Sequence, residues 1–145
     1  MQLIKQYLLD GKAVQLATAS NNIPWICNVY YVLDEKLNIY WLSYPSRRHS
    51  QDITVNPNVA LTLVVKQDMP VIGVQAQGVA SEIKRASTVI KVMALYIKKY
   101  GAGKDFYKNF TLKKNKHVLY RFTPSKIVLF DELNFGTDNP QMIVF

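Results

Sequence analysis

The sequence predicts a mainly β domain with flanking helices, its strands running antiparallel and closing wholly or partly into a barrel. Two observations carry this. Five strand-like stretches follow one another between an N-terminal helix and a single long helix, and turn residues separate most of them. That order favours hairpins over the strand–helix–strand alternation of a doubly wound parallel sheet. The chain is also of ordinary single-domain size: 145 residues, 49% hydrophobic and 19% charged, suffice for one core without disulfides or a structural metal. No repeat, low-complexity tract or linker interrupts it, so residues 1–145 are expected to form one domain.

Leu3, Ile4, Tyr7 and Leu8 fall at helical spacing, which predicts an N-terminal helix ending near Gly11. Val14, Leu16 and Thr18 alternate with Gln15 and Ala17, a strand over Ala13–Ala19. Ser20-Asn21-Asn22 is turn chemistry, and Trp25–Leu33 is rich in aromatic and β-branched residues. Asp34-Glu35-Lys36 makes a polar turn into a third strand, Leu37–Leu42, so the second and third strands form a hairpin. Ser46 is placed to cap a short helix from Arg47 to about Val55, which must stop before Pro57. Val59–Lys66 and Val71–Ile83 read as two further strands. Gly78, inside the second, indicates a bulge or a close backbone approach. Ala86–Tyr100 is helical, with Val89, Val92, Met93, Tyr96 and Ile97 on one face and Gly101 as its stop. Lys104–Lys116 reads as a basic, aromatic connector. His117–Phe122 is a sixth strand, Ile127–Phe130 an extension or an edge, and Asn134–Pro140 a loop before an apolar end.

The formal net charge of +8 is local. Ten Lys and Arg against one acid, Asp105, lie between Lys84 and Lys116, which leaves the rest of the chain at −1. Such a block suits nucleic acid, an anionic cofactor or an acidic partner, and equally a solvated helix face. Tyr96, Tyr100, Phe106, Tyr107 and Phe110 interleave with it, as rings beside cations do in single-strand nucleic-acid binders; ordinary core packing is the preferred reading. The lone Cys27 can form no internal disulfide, which points to a reducing, cytoplasmic setting, and it reads as a small core hydrophobe. No run reaches the roughly 18 apolar residues of a membrane span, and the N-terminal stretch carries charge where a cleavable signal would be apolar.

Chemistry concentrates in Ser43-Tyr44-Pro45-Ser46-Arg47-Arg48-His49, where a strand gives way to a helix. A helix N-terminus with free N–H groups, hydroxyls and two guanidiniums suits a phosphate; a serine cap with surface arginines uses the same residues. His49 and His117 are the only histidines, with no second ligand type clustered beside either, so no metal site is expected. Gly101-Ala102-Gly103-Lys104 is not a phosphate loop, because it follows a helix and Asp105 stands where Ser or Thr is required.

These features together resemble the FMN-binding split-barrel superfamily, the pyridoxamine 5′-phosphate oxidase-like proteins. The resemblance rests on Ser43-Tyr44-x-Ser46-Arg47-Arg48 after a strand, on Ile53-x-x-Asn56-Pro57-Asn58-Val59-Ala60-Leu61, and on Gly73-Val74-Gln75-Ala76-Gln77-Gly78. Trp25-x-Cys27-Asn28, Arg48-His49 and the Asn-Phe-Gly ending look closest to a small YhbP-like bacterial branch. The resemblance implies a six-stranded antiparallel split β-barrel, a homodimer, and FMN held at sites shared between the two chains; related branches use F420 or haem. It implies that Leu42, Ser43 and Tyr44 meet the flavin and its phosphate, that Ser46, Arg47, Arg48 and the adjacent His49 form the phosphate turn, and that Gln75 lies near the cofactor. Trp25, Asn28 and Tyr30 would line the site. It further implies an FMN-dependent oxidoreductase acting on a small molecule or electron acceptor, or a flavin- or haem-binding sensor without turnover; a nucleic-acid binder working through residues 84–116 is the remaining alternative. Pyridoxamine phosphate oxidases carry an Arg about where Val29–Val32 stands here and an Arg-rich C-terminal segment that this chain lacks, so pyridoxamine phosphate is not the expected substrate.

Overall fold

The computed structural model describes residues 2–101, 103–111 and 116–145, apart from the side chains of residues 104, 107 and 111. Lys113, Lys114 and the side chains of Lys104 and Tyr107, part of the basic block, fall outside these.

Helix α1 (Gln2–Asp10) leads into β1 (Ala13–Ser20), β2 (Ile23–Tyr30), β3 (Val32–Leu33) and β4 (Ile39–Ser43). Then come α2 (Arg48–Val55), β5 (Asn58–Lys66), β6 (Ile72–Ile83), α3 (Ala86–Tyr100) and α4 (Lys104–Thr111). The chain ends with β7 (Val118–Asp131), α5 (Glu132–Phe135) and β8 (Gln141–Val144). All strand pairs are antiparallel, in the order β2-β1-β5-β6-β7-β4-β3, with β8 added to β7. The two ends of this path, β2 and β3, belong to one chain segment broken only at Tyr31. The sheet therefore curls back on itself as a split barrel. Among the described residues eight strands stand where six were expected. One of the extra pair is β3, the continuation of β2 past Tyr31, and the other is β8, outside the barrel path.

The break has a physical cause. A backbone that leaves its ladder needs other hydrogen-bond partners, and α3 supplies them. The Tyr96 hydroxyl donates to the Tyr30 and Tyr40 carbonyls at 3.0 and 3.1 Å. The Tyr100 hydroxyl lies 2.6 Å from the Tyr31 carbonyl and accepts from the Tyr31 N–H at 3.1 Å. Around these bonds, Val92, Met93 and Tyr96 of α3 pack on Val32, Tyr40 and Leu119.

The alternating inward residues of the strands fill the barrel. Trp41 and Tyr120 stack there at 5.6 Å, Phe122 and Leu16 are wholly buried, and α1 plugs the barrel with Ile4 and Leu8. Gly78 sits at the predicted irregularity: the β6–β7 register shifts between Gln77 and Gly78. A Cβ at Gly78 would lie 2.1 Å from the Thr123 carbonyl oxygen.

Four local expectations are corrected. Strand β4 begins at Ile39, because Leu37 takes φ 62° in a turn whose N–H groups bond to the Asp34 side chain. Arg47, not Ser46, is the N-cap of α2, and a guanidinium has no acceptor, so no side chain caps it. The basic connector contains α4, and the expected terminal loop is shortened to residues 136–140, between α5, capped by Asp131, and β8. Among the described residues no helix is long and apolar enough to cross a membrane.

Candidate functional site

Strand β4 ends at Ser43 on the barrel rim, and Tyr44–Arg47 turn the chain into α2. Helix α2 is fixed to the barrel by Asp52, which accepts from the Thr18 hydroxyl of β1 at 2.8 Å, and by Asn56, whose amide donates to the Ala19 carbonyl at 3.1 Å. This anchoring presents the first turn of α2 to a cavity of about 720 Å³. Its volume is that of a small-molecule or cofactor site.

The cavity is lined by two chemically distinct sets of side chains. Ser43, Ser46, Arg47, Arg48 and His49 form a cationic set at the start of α2. Trp25 and Tyr30 from β2, Tyr96 from α3 and Phe106 from α4 form an aromatic set, with Cys27 and Asn28 also in the lining. Arg48 lies over the Trp25 ring at 4.9 Å and 3.8 Å from Asp52, so its guanidinium is already oriented. Arg47 is exposed, 5.9 Å from the centre of the Tyr44 ring. The other face of the site is built by the His117 ring, which packs on Tyr44 at 4.0 Å.

His49 is buried, with Nε2 2.7 Å from the Ser43 hydroxyl. Burial lowers its pKa, Arg47 lowers it further, and Asp52 opposes both. His117 is lowered as well, by burial and then by Arg47. Burial raises the Cys27 thiol, which packs half-buried against the barrel core while also facing the cavity.

Seven of the eight candidate residues therefore meet in one place: Leu42, Ser43, Tyr44, Ser46, Arg47, Arg48 and His49 all line the cavity, as do Trp25, Asn28 and Tyr30. Gln75 is not among them. It is exposed on the outer face of β6, in a separate groove with Gln15, Thr62 and Gln77. The structure adds Tyr96, Phe106 and His117, which lie far along the chain from the motif. The only sequence signal for them was the aromatic run after Lys84 and the presence of a second histidine. Tyr96, Tyr100, Phe106 and Phe110 pack in or against the α3 core cluster rather than forming an open stacking platform. Among the described residues no group of three His, Cys, Asp or Glu could hold a metal.

Comparison with known proteins agrees with this architecture. No curated protein matches the sequence. A conserved hypothetical protein of Mycobacterium tuberculosis, Rv2991, superposes with a TM-score of 0.80 at 20% identity, over 99% of this chain and 91% of that one. The haem storage protein HutZ of Vibrio cholerae gives 0.68 at 19%, over 99% and 92%. General stress protein 26 of Bacillus anthracis gives 0.69 at 18%, over the whole of both chains. At these identities the likeness is one of fold. The sequence profile described as pyridoxamine 5′-phosphate oxidase matches residues 1–130, and with the split barrel in place the chain belongs to that family.

Proposed function

We propose that this protein binds FMN, one per chain of a homodimer, and uses it in an oxidoreductase reaction on a small molecule. The observation that carries the reading is one cavity lined both by the cationic start of α2 and by aromatic rings of β2 and α3, with Arg48 over Trp25 where the two meet. FMN has a dianionic phosphate at one end and a flat ring at the other, and family membership supports the match. Arg47 and Arg48 would hold the phosphate by charge-assisted bonds, with Ser43 and Ser46 as hydroxyl donors. The exposed rings of Trp25 and Tyr30 would receive the flavin ring. Bound FMN would supply the electron-transfer chemistry, and the chain would bind, orient and shield it. Among the described residues Arg47 and Arg48 are the only arginines lining the cavity, and with both assigned to the FMN phosphate none is left for a second phosphate, which argues for a substrate other than pyridoxamine phosphate.

The outer sheet face supports the homodimer. Ala17 and Ala60 pair across β1 and β5, with Ile26 beside Ala17 and Gln77 beside Ala60. Ile26 and Val64 stand exposed on this part of the sheet, a grooved, partly apolar surface suited to a second copy. Gln75, remote from its own chain's cavity, would then serve at the dimer interface.

Haem is the second reading. It is favoured by the two histidines in the cavity and by the fold shared with HutZ, a haem storage protein.

The test is FMN titration of the double variant Arg47→Ala/Arg48→Ala beside the unchanged protein. Each charge-assisted contact contributes about 1.5–3 kcal/mol, so affinity for FMN should fall at least about 100-fold while affinity for riboflavin, which lacks the phosphate, changes little. Equal loss for both ligands would remove the phosphate from the α2 end.

A further inference from the structure

Both histidines of the chain line the cavity, and the surroundings of each disfavour its imidazolium. His49 enters from the first turn of α2 and shares a hydrogen bond with Ser43 of β4. His117 enters just before β7 and stacks on Tyr44. Burial disfavours the imidazolium at each, and the Arg47 guanidinium disfavours it further. Among the described residues, Arg47 acts on both and Asp52 on His49, Arg48 shares their cavity, and Glu82, Lys84 and Lys116 line the neighbouring groove onto which His117 also opens. Asp52 is itself engaged by Thr18 of β1 and lies near Arg48.

We propose that His49 and His117 form a proton-loading clamp for a phosphate monoester dianion: entry of the anion draws a proton from solvent onto the imidazoles, so acid tightens binding and a rise in pH releases the ligand. An anion beside Arg47 cancels the charge that keeps protons off both rings and puts an opposite charge within reach, and opposite charges within about 4–6 Å raise a histidine's pKa. Each ring therefore titrates lower in the free protein than in the complex. Between those two values binding takes up protons, affinity grows as pH falls, and the gain is lost as pH rises through the bound-state value. The Ser43 contact gives the clamp its geometry. With Nε2 of His49 unprotonated, the Ser43 hydroxyl donates to it. With both ring nitrogens protonated, Nε2 donates instead and the hydroxyl is free to donate to the anion. A phosphate monoester's own second ionisation lies near pH 6 and acts in the opposite sense there, so the window to examine lies above it.

The clamp takes its natural ligand from the FMN reading, but its chemistry asks only for a dianion. Calorimetric titration of the whole protein at about pH 7, in buffers of different ionisation enthalpy, measures the protons taken up. FMN should bind with uptake of about one proton or more per chain, and its affinity should fall by about tenfold per pH unit for each proton. Riboflavin should bind without uptake. Sulfate, a dianion with no titrating proton near neutrality, should bind more weakly than FMN, also with uptake. His117→Gln should remove part of the FMN uptake, and His49→Gln with His117→Gln all of it. FMN bound without proton uptake overturns the clamp. If FMN does not bind but sulfate binds with uptake, the cofactor reading falls and the clamp stands. Sulfate bound without uptake, or neither anion bound, overturns it.

Discussion

At the scale of single residues, two positions show how tightly the barrel is specified. Gly78 is required by the backbone of β7, since a Cβ there would meet the Thr123 carbonyl at 2.1 Å and the Pro124 Cα at 2.9 Å. Neither atom can swing aside as a flexible side chain would. Gly78→Ala should cost about 1–3 kcal/mol, read as a lower urea midpoint. The sequence disclosed this position, because a glycine inside a β-branched run marks a bulge or a close backbone approach. Lys99 was not legible in the same way. In sequence it is one more cation of the basic block, yet its Nζ is buried with no hydrogen-bond partner among the described residues, 4.0 Å from the centre of the Tyr31 ring. Burial lowers its pKa from 10.5 to about 8, with Asp10 opposing. The folded state thus binds this proton less well than the unfolded chain. The penalty is fully present below the lowered value and relieved as pH rises towards the ordinary one. Lys99→Met should therefore raise the melting temperature at neutral pH and flatten the rise in stability of the unchanged protein between about pH 8 and 10.5. An unaltered pH profile would mean the ammonium is solvated.

At the scale of elements, most boundaries followed from periodicity and punctuation. Helix α3 spans Ala86–Tyr100 with Gly101 left-handed at φ 64°, as its pattern and terminal glycine required. Tyr31 was the exception. A run rich in β-branched and aromatic residues predicts one unbroken strand. The interruption depends on the Tyr100 hydroxyl, 69 residues away in sequence, to which no local pattern points. Helix α3 is thus both a cover for the barrel and a hydrogen-bond partner for its split. Tyr100→Phe leaves the Tyr31 N–H and C=O without that hydroxyl. A cost of about 1–3 kcal/mol is expected, with faster amide exchange at Tyr31 than at core residues of β5 and β6. Uniformly faster exchange would mean that α3 and the barrel open together.

At the scale of the whole molecule, the site is an assembly of distant pieces. The stretch from Ser43 to His49 was legible because a strand end, hydroxyls and paired arginines together make sense only as anion chemistry or a cap. Tyr96, Phe106 and His117 were not, because they reach the cavity through the path of α3, α4 and β7. Gln75 shows the converse: a motif match gives position along a strand, while the face and the groove come only from the register, which sets Gln75 opposite Thr62 and Val128. The basic block is likewise divided by the fold, with Lys99 turned inward and Lys91 and Lys98 left in solvent.

The central claim is that the cavity at the start of α2 holds FMN, and the visible absorption spectrum of the purified protein tests it most directly, recorded before and after incubation with excess FMN and desalting. The account predicts flavin bands near 370 and 450 nm, on the order of one FMN per chain. A protein that stays colourless after this treatment would contradict it, and a Soret band would move the cavity to haem.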